Sequence, residues 1–129
     1  GAPPPAADVQ VSLVDFNFMM PDQIAAGRHV WQIENTGEQW HEMAIVQLNE
    51  GKTVEDLVAW VNSSGPGGPG EPPPYAEGAF WHPMGAGQRA WVTWNIPAGE
   101  YTVICILPDV AGDMRPHVAH GMVRTLVVK

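Results

Sequence analysis

Gly99-Glu-Tyr-Thr-Val-Ile-Cys105 and Pro116-His117-Val-Ala-His120-Gly-Met122 are the two pieces of sequence that decide the fold. The first is an apolar, β-branched run that ends on Cys105, the only cysteine of the chain, and is typical of a buried strand. Together the two pieces offer a thiolate, imidazoles and a thioether within one short segment. Thiolates and thioethers are soft ligands and imidazole is borderline, so this combination suits copper better than any hard cation. His41, which follows the turn-like Asn35-Thr-Gly37, is a further candidate ligand from a distant part of the chain.

The composition is that of a well-packed globular domain. The chain has 129 residues, of which 45% are hydrophobic and 16% are charged, enough to bury the core of one domain. We expect residues 1–7, which are rich in proline and alanine, to be an N-terminal linker and residues 8–129 to form a single domain. No apolar run approaches the roughly 20 residues that a membrane-spanning helix needs. We expect any export signal or membrane anchor to lie upstream of this sequence.

The charge balance of the chain is acidic. Six Lys and Arg residues stand against fourteen Asp and Glu residues, which gives a formal net charge of −8. Nucleic acid binding depends on basic side chains that neutralise phosphates, so this balance argues against a nucleic acid partner. It favours partners with basic surfaces, whose rate of association would depend on ionic strength.

Alternation of apolar and polar residues predicts a protein built mainly from strands. Val9, Val11 and Leu13 alternate with Gln10 and Ser12, which is the period-two pattern of a half-buried strand. Similar patterns predict strands over 28–34, 42–48, 88–96, 100–107 and 122–129. Short strands separated by turn signals predict an all-β fold, a Greek-key β-sandwich of about 7–8 strands.

Two segments interrupt the strands. Thr53-Val-Glu-Asp56 resembles a capping box and precedes an apolar run, which predicts one short helix near 53–62. Residues 62–78 are so rich in glycine and proline that we expect a long surface loop. Phe80-Trp-His-Pro-Met84 follows this loop and is interpreted as an apolar lead-in to a strand that packs the loop down. A docking surface and a secondary metal site are the alternatives for that pentapeptide.

At its candidate ligands the chain resembles the cupredoxins, the blue copper proteins, and in particular their plastocyanin-like branch. Gly99-Glu-Tyr101-x-x-x-Cys105 is similar to the Gly-x-Tyr-x-x-x-Cys strand of that family. Pro116-His117-x-x-x-Gly121-Met122-Val123 is similar to its Pro-His and Gly-Met-Val spacing. Asn35-Thr-Gly37 followed by His41 is similar to the turn that brings in the first ligand of the family.

The resemblance implies a cupredoxin-like sandwich that holds one Cu(I)/Cu(II) ion per chain. It assigns the metal ligands to His41, Cys105, His117 and Met122, a trigonal His₂Cys set with a long, weak axial thioether. It implies a type 1 copper electron carrier rather than an enzyme, in the periplasm or outside the cell, with His117 near the surface as the electron exit. The expected partners are redox proteins such as a cytochrome or a copper oxidoreductase, and the protein itself is expected to be a monomer.

Two features depart from the family pattern. Eleven residues separate Cys105 from His117, where plastocyanin-like proteins have far fewer. Glu42 follows His41 at a position where the family usually has Asn, which ties the two ligand loops together. The Glu42 carboxylate either replaces that hydrogen bond or reaches the copper itself.

The same residues allow other interpretations. Cys105 taken alone would suit a small buried core position. His120 competes with His117 for one coordination position, although the spacing to Met122 favours His117. The whole chain could instead store or deliver copper outside the cytoplasm, or act as an interaction module with a modified copper site.

Overall fold

The computed structural model describes residues 3–63 and 70–129. Within these residues there are nine strands, one α-helix and one 3₁₀ helix. The strands are β1 (Val9–Val14), β2 (Asn17–Met19), β3 (Gln23–Ile24), β4 (Gly27–Asn35), β5 (His41–Leu48), β6 (Tyr75–Met84), β7 (Arg89–Ile96), β8 (Gly99–Ile104) and β9 (Val123–Val128). The helix α1 covers Val54–Ser63, and the 3₁₀ helix covers His117–His120. No helix in the described ranges is both long and apolar enough to cross a membrane.

The strands form two mixed sheets, which confirms the predicted β-sandwich. The first sheet has the order β2-β1-β4-β7, and the second has the order β3-β9-β8-β5-β6. The pairs β1–β4 and β3–β9 are parallel, whereas the remaining pairs are antiparallel. The strand count exceeds the predicted one because β3 has only two residues and β6 lies in a segment that was predicted as loop and lead-in.

The strand β6 corrects the sequence interpretation of residues 75–84. Gly78, the last residue of the predicted loop, and Pro83, part of the predicted lead-in, both lie inside this strand. A proline cannot donate to the ladder of a sheet, but β6 is an edge strand of its sheet, where such a residue is tolerated. The pairing of β6 with β5 places Met84 opposite His41. The remainder of the predicted loop falls partly on residues 64–69, outside the described residues.

The helix α1 begins as the sequence predicted. The backbone N–H of Thr53 donates to Oδ2 of Asp56 at 2.9 Å, and the backbone N–H of Asp56 donates to Oγ1 of Thr53 at 3.2 Å. This reciprocal pair is a capping box with Asp in place of the usual Glu or Gln. The helix buries Leu57 in a small cluster with Val46, Ile104 and Val118, so it packs against the sheet that carries β5 and β8.

The main core lies between the two sheets and extends to the predicted ligands. Alternating positions of the strands supply it, as the period-two pattern predicted. Its buried members include Val9, Val11, Leu13, Trp31, Ile33, Met43, Ile45, Val103 and Leu126. Cys105 and Met122 belong to the same buried cluster. These two ligand candidates are therefore part of the core rather than appendages of a surface loop.

Candidate metal centre

The four predicted ligands are carried by neighbouring strand ends and one short helix. His41 is the first residue of β5, and Cys105 directly follows β8. Because β5 and β8 are antiparallel neighbours, the beginning of one meets the end of the other. His117 begins the 3₁₀ helix, and Met122 follows that helix directly before β9. All four side chains have no exposed surface.

A tight helical turn returns the chain from His117 to the end of β8. Gly121 ends this helix with a φ of 97°, in the left-handed region that favours glycine. The reversal lets the backbone N–H of Met122 donate to the carbonyl of His117 at 3.1 Å. The carbonyl of Met122 in turn accepts from the backbone N–H of Cys105 at 3.4 Å. The buried Met122 is thus anchored between two other predicted ligands, and its role as an axial ligand stays a prediction.

Three of the predicted ligands bring their donor atoms together. One nitrogen of His41, one of His117 and Sγ of Cys105 all lie within 4.8 Å of one another. The Nδ1 atoms of the two histidines are 3.1 Å apart, and Sγ lies 3.5 Å from Nδ1 of His117. His41 and His117 are 76 positions apart in the chain, so the fold alone brings them into contact.

The carboxylate of Asp15 determines which nitrogen of His41 carries a hydrogen. Its Oδ1 lies 2.6 Å from Nε2 of His41, and because a carboxylate only accepts, Nε2 must donate. In the neutral imidazole, Nδ1 of His41 then has a free lone pair that faces the cluster. Partial burial raises the pKa of Asp15, but the hydrogen bonds from His41 and from the backbone of Gln39 and Glu38 outweigh it. The net pKa therefore lies below its ordinary value, and the carboxylate stays charged.

The side-chain amide of Gln39 determines which nitrogen of His117 carries a hydrogen. Oε1 of Gln39 lies 3.0 Å from Nε2 of His117. Exchanging the amide oxygen and nitrogen of Gln39 would lose two hydrogen bonds. Its Nε2 donates to Oδ1 of Asp109 at 2.7 Å, and its Oε1 accepts from the backbone N–H of Val110 at 3.2 Å. An oxygen therefore faces His117, whose Nε2 must carry the hydrogen. Burial is the largest effect on the pKa of His117 and lowers it, and a charge on the neighbouring His41 imidazole would lower it further, so the neutral form of His117 is favoured.

When both imidazoles are neutral, two bare lone pairs face each other. With one hydrogen on each Nε2, the Nδ1 atoms of His41 and His117 have none to donate, although they are 3.1 Å apart. Two neutral acceptors at this distance cannot form a hydrogen bond. A cation that takes both lone pairs and the nearby sulfur satisfies all three groups, and outer hydrogen bonds of this kind are typical of histidines that bind metals. The donor set therefore fits a metal ion.

The thiol of Cys105 is held in place by the backbone of β5. The N–H of Glu42 donates to Sγ at 3.4 Å. Burial raises the pKa of Cys105 to about 12, in spite of the hydrogen bonds from the backbone of Glu42 and Leu107. The thiol accordingly keeps its proton at neutral pH, and a metal ion must displace it to obtain the thiolate ligand.

Glu42 ties the two ligand segments together through its side chain as well. Its Oε1 accepts from the backbone N–H of Ile106 at 3.3 Å, directly after Cys105. Among the described residues, the groups of donors that can share a metal ion include His41, Cys105 and His117 but not Glu42. The first alternative for Glu42, the hydrogen bond between loops, is the one that its contacts support.

His117, which the resemblance places near the surface as the electron exit, is fully covered. Its side chain has no exposed surface. Phe16 lies edge-on against the imidazole with ring centroids 5.0 Å apart, and Gln39 bonds its outer nitrogen. Both covering residues are half-buried, so the imidazole lies one side-chain layer below the surface. These residues come from the β1–β2 turn and the segment before β5, which no local pattern around His117 indicates.

His120 lies outside the three-donor cluster. Its Nε2 is 2.8 Å from Oδ1 of Asp113 and 3.5 Å from Oδ2 of Asp109. These three residues form a second, more exposed group on the loop between Cys105 and the end of the 3₁₀ helix. The choice of His117 over His120 as the candidate ligand is therefore consistent with where the two imidazoles lie.

Sequence reasoning missed Asp15 and Gln39. Asp15 is 26 positions from His41, and Gln39 is 78 positions from His117, so neither partner is visible from local spacing. The available signal was Gly37. A Cβ atom at that position would lie 2.5 Å from Oδ1 of Asp15 and 2.8 Å from Nε2 of His41, which makes the missing side chain a condition for their contact.

Comparison with solved structures identifies the fold. The chain matches no protein-family model, and no curated protein is similar to it in sequence. Auracyanin from Roseiflexus castenholzii is 19% identical with a TM-score of 0.58, over 93% of this chain and 94% of that one. Rusticyanin from Thiobacillus ferrooxidans, a copper protein, is 18% identical with a TM-score of 0.59, over 94% and 75% of the two chains. An azurin from Methylomonas sp. strain J is 16% identical with a TM-score of 0.58, over 93% and 95%. The chain therefore has the cupredoxin fold, as its motifs predicted, with a candidate copper site.

Proposed function

We propose that this protein is a mononuclear type 1 copper protein that carries single electrons between redox partners. The observation that carries the proposal is the convergence of two bare Nδ1 atoms and one cysteine sulfur in a buried site. His41, Cys105 and His117 would hold the copper, with Met122 as a fourth, weaker ligand. When bound, the copper supplies the Cu(II)/Cu(I) couple.

The chemistry of the donors favours copper over other metals. Hard cations such as Mg²⁺ and Ca²⁺ take oxygen ligands, whereas this set offers imidazole and thiolate, with a buried methionine on the adjacent segment. Zinc also accepts cysteine and histidine, but its structural sites have four strong ligands in a tetrahedron. Three such donors with a buried methionine beside them match the trigonal His₂Cys sites that transfer electrons.

The surroundings of the donors favour electron transfer over copper delivery. A delivery site needs ligands that an acceptor can reach, but the side chains of His41, Cys105 and His117 have no exposed surface. Each imidazole is held by a bond at its outer nitrogen, and the sulfur is held by the backbone N–H of Glu42. Ligands that are fixed in this way move little when the charge of the metal changes, which lowers the barrier to electron transfer.

The surface charge supports a basic redox partner. With a net charge of −8, the protein should attract a positively charged partner at long range and lose that attraction in salt. We infer an encounter that is small and transient, as is usual for electron carriers.

The test is a titration of the purified protein with Cu(II), followed by visible absorption and by electron paramagnetic resonance. We expect an intense thiolate-to-copper band that saturates at one equivalent, with a narrow copper hyperfine splitting. Cys105→Ser should lose the band. His29→Ala removes a histidine near the beginning of β4, at the end of the first sheet away from the cluster, and this variant should keep the band. A weak spectrum with wide splitting in the wild-type protein would contradict the proposal.

A further inference from the structure

We propose that Asp15 is a positioning residue that orients the His41 imidazole and whose negative charge favours the more positive oxidation state of a copper ion bound there. The inference concerns the redox balance of the site and rests on the copper centre proposed above. Its first part, the orientation of His41, belongs to the protein alone and can be tested without metal.

The position of Asp15 suits this role. It lies in the two-residue turn between β1 and β2, next to the segment that leads into β5. Besides His41, its carboxylate accepts from the backbone N–H groups of Glu38 and Gln39 at 3.2 Å each. The Asp15 side chain therefore holds both His41 and the backbone segment that leads to it. These bonds leave the carboxylate little freedom to turn away.

The space around the contact is an independent indication. Gly37 lies against both partners, and a Cβ atom there would come within 2.5 Å of Oδ1 of Asp15 and 2.8 Å of Nε2 of His41. Real Cβ atoms do not approach oxygen or nitrogen so closely, so any side chain at position 37 would push the pair apart. The turn before β5 is therefore shaped around the bond between Asp15 and His41.

The charge of Asp15 is not cancelled by a basic side chain. Within residues 3–63 and 70–129, its only ion-pairing partner is His41, and no Lys or Arg lies within salt-bridge distance. A carboxylate on the outer nitrogen makes an imidazole a stronger donor to a metal. A nearby negative charge also stabilises Cu(II) more than Cu(I), because the interaction grows with the charge of the ion.

Three variants separate position from charge. Asp15→Asn keeps an oxygen acceptor but loses the charge, and the N–H groups of Glu38 and Gln39 hold that oxygen in place. Asp15→Ala loses both. Asp8→Asn is the matched control, because Asp8 also contacts a histidine, His29 at 3.3 Å, and precedes β1 at its other end, about 20 Å away at about 3.3 Å per residue.

The first measurement uses the metal-free protein. Long-range ¹H–¹⁵N correlation spectra at pH 8 report which nitrogen of each imidazole carries the hydrogen. We expect His41 to be a single tautomer with hydrogen on Nε2 in the wild type, Asp15→Asn and Asp8→Asn, and a mixture of tautomers in Asp15→Ala. A single, unchanged tautomer in Asp15→Ala would overturn the positioning role, whether or not the protein binds copper.

The second measurement is the midpoint potential of the copper-loaded variants. Partners of this kind change metal affinity by about 10- to 100-fold, so we expect Asp15→Asn to shift the ratio of Cu(I) to Cu(II) affinity by about tenfold, a rise of about 59 mV for one electron. Asp8→Asn should stay at the wild-type value. Equal potentials for the two variants would overturn the charge effect, while failure of the wild type to form a thiolate–copper band would instead overturn the proposed function.

Discussion

The hydrogens on the two imidazoles are placed by the groups that touch their outer nitrogens. A carboxylate faces His41 and an amide oxygen faces His117, so the inner nitrogens of both neutral imidazoles are acceptors. The spacing of the ligands could be recognised in the sequence because it follows one strand, one turn and one helix. Their partners could not be recognised, because Asp15 and Gln39 reach the site only through the packing of other segments.

The two histidines of the 3₁₀ helix give a direct test of the ligand choice. We expect His117→Ala to abolish the intense visible band. It should also weaken copper binding more than the loss of a ligand's outer hydrogen-bond partner does, which costs about 10- to 100-fold in affinity. The reason is that Nδ1 of His117 is 3.1 Å and 3.5 Å from the other two donor atoms. Absorption spectra and copper titrations of the variants measure both effects.

His120→Ala is the matched control for that substitution. His120 lies three residues along the same helix and bonds Asp113 rather than the cluster, so the band should keep its position and most of its intensity. If both variants lost the band equally, or if only His120→Ala lost it, the assignment of His117 would be wrong.

At the scale of whole elements, strand ends and turns place the site. The alternation of β1 and β4 and the capping box of α1 are local patterns, and each was predicted from the sequence. The strand β6 was predicted only as the end of a loop and a strand lead-in, because Gly78 and Pro83 interrupt a regular strand pattern. The position of β6 at the edge of its sheet makes Pro83 tolerable. This segment forms a strand because it pairs with β5, which lies earlier in the sequence.

The link between β5 and the segment after β8 should make stability depend on pH through Glu42. Burial raises the pKa of Glu42 above its ordinary value of 4.5, so the folded protein binds this proton more tightly than the unfolded chain does. Stability from this group is present below the ordinary pKa and is lost as the pH rises through the folded-state value. We therefore expect Glu42→Gln, which keeps an oxygen for the N–H of Ile106, to remove that loss.

Urea unfolding of the copper-free wild type and of Glu42→Gln at several pH values from 4.5 upward measures this contribution. The difference between the two proteins is the informative quantity, because the lowered pKa values of Asp15 and Asp113 act in the opposite direction in both. The free energy of unfolding of the variant should gain on that of the wild type as the pH rises. A difference that is constant with pH would contradict a raised pKa for Glu42.

For the molecule as a whole, the sandwich could be predicted but the depth of its site could not. Period-two patterns indicate which side chains face the core, and those of β1 and β4 do so as predicted. Burial of His117 depends on Phe16 and Gln39, which precede it by about a hundred and about eighty positions in the printed sequence. Burial of this kind arises only in the assembled sandwich. It leaves His117, the candidate electron exit, beneath one layer of side chains.

Copper should stabilise the whole domain. The donor atoms come from the start of β5, the end of β8 and the 3₁₀ helix, and an unfolded chain cannot hold them together. A ligand that binds only the folded state adds about 2.7 kcal/mol when its free concentration is 100 times its Kd. For a domain of this size we expect a rise in Tm on the order of 10 °C, measured by calorimetry with and without copper.

Cys105→Ala separates this linkage from unspecific effects of the metal. The variant fills a fully buried position with a smaller apolar side chain, so its copper-free form should fold, with a Tm somewhat below that of the wild type because of the cavity. Adding copper should then change its Tm little, since the strongest donor is missing. An equal rise in both proteins would show that copper binds elsewhere on the fold, and the absence of any rise in the wild type would show that the donors near His41 do not hold copper tightly.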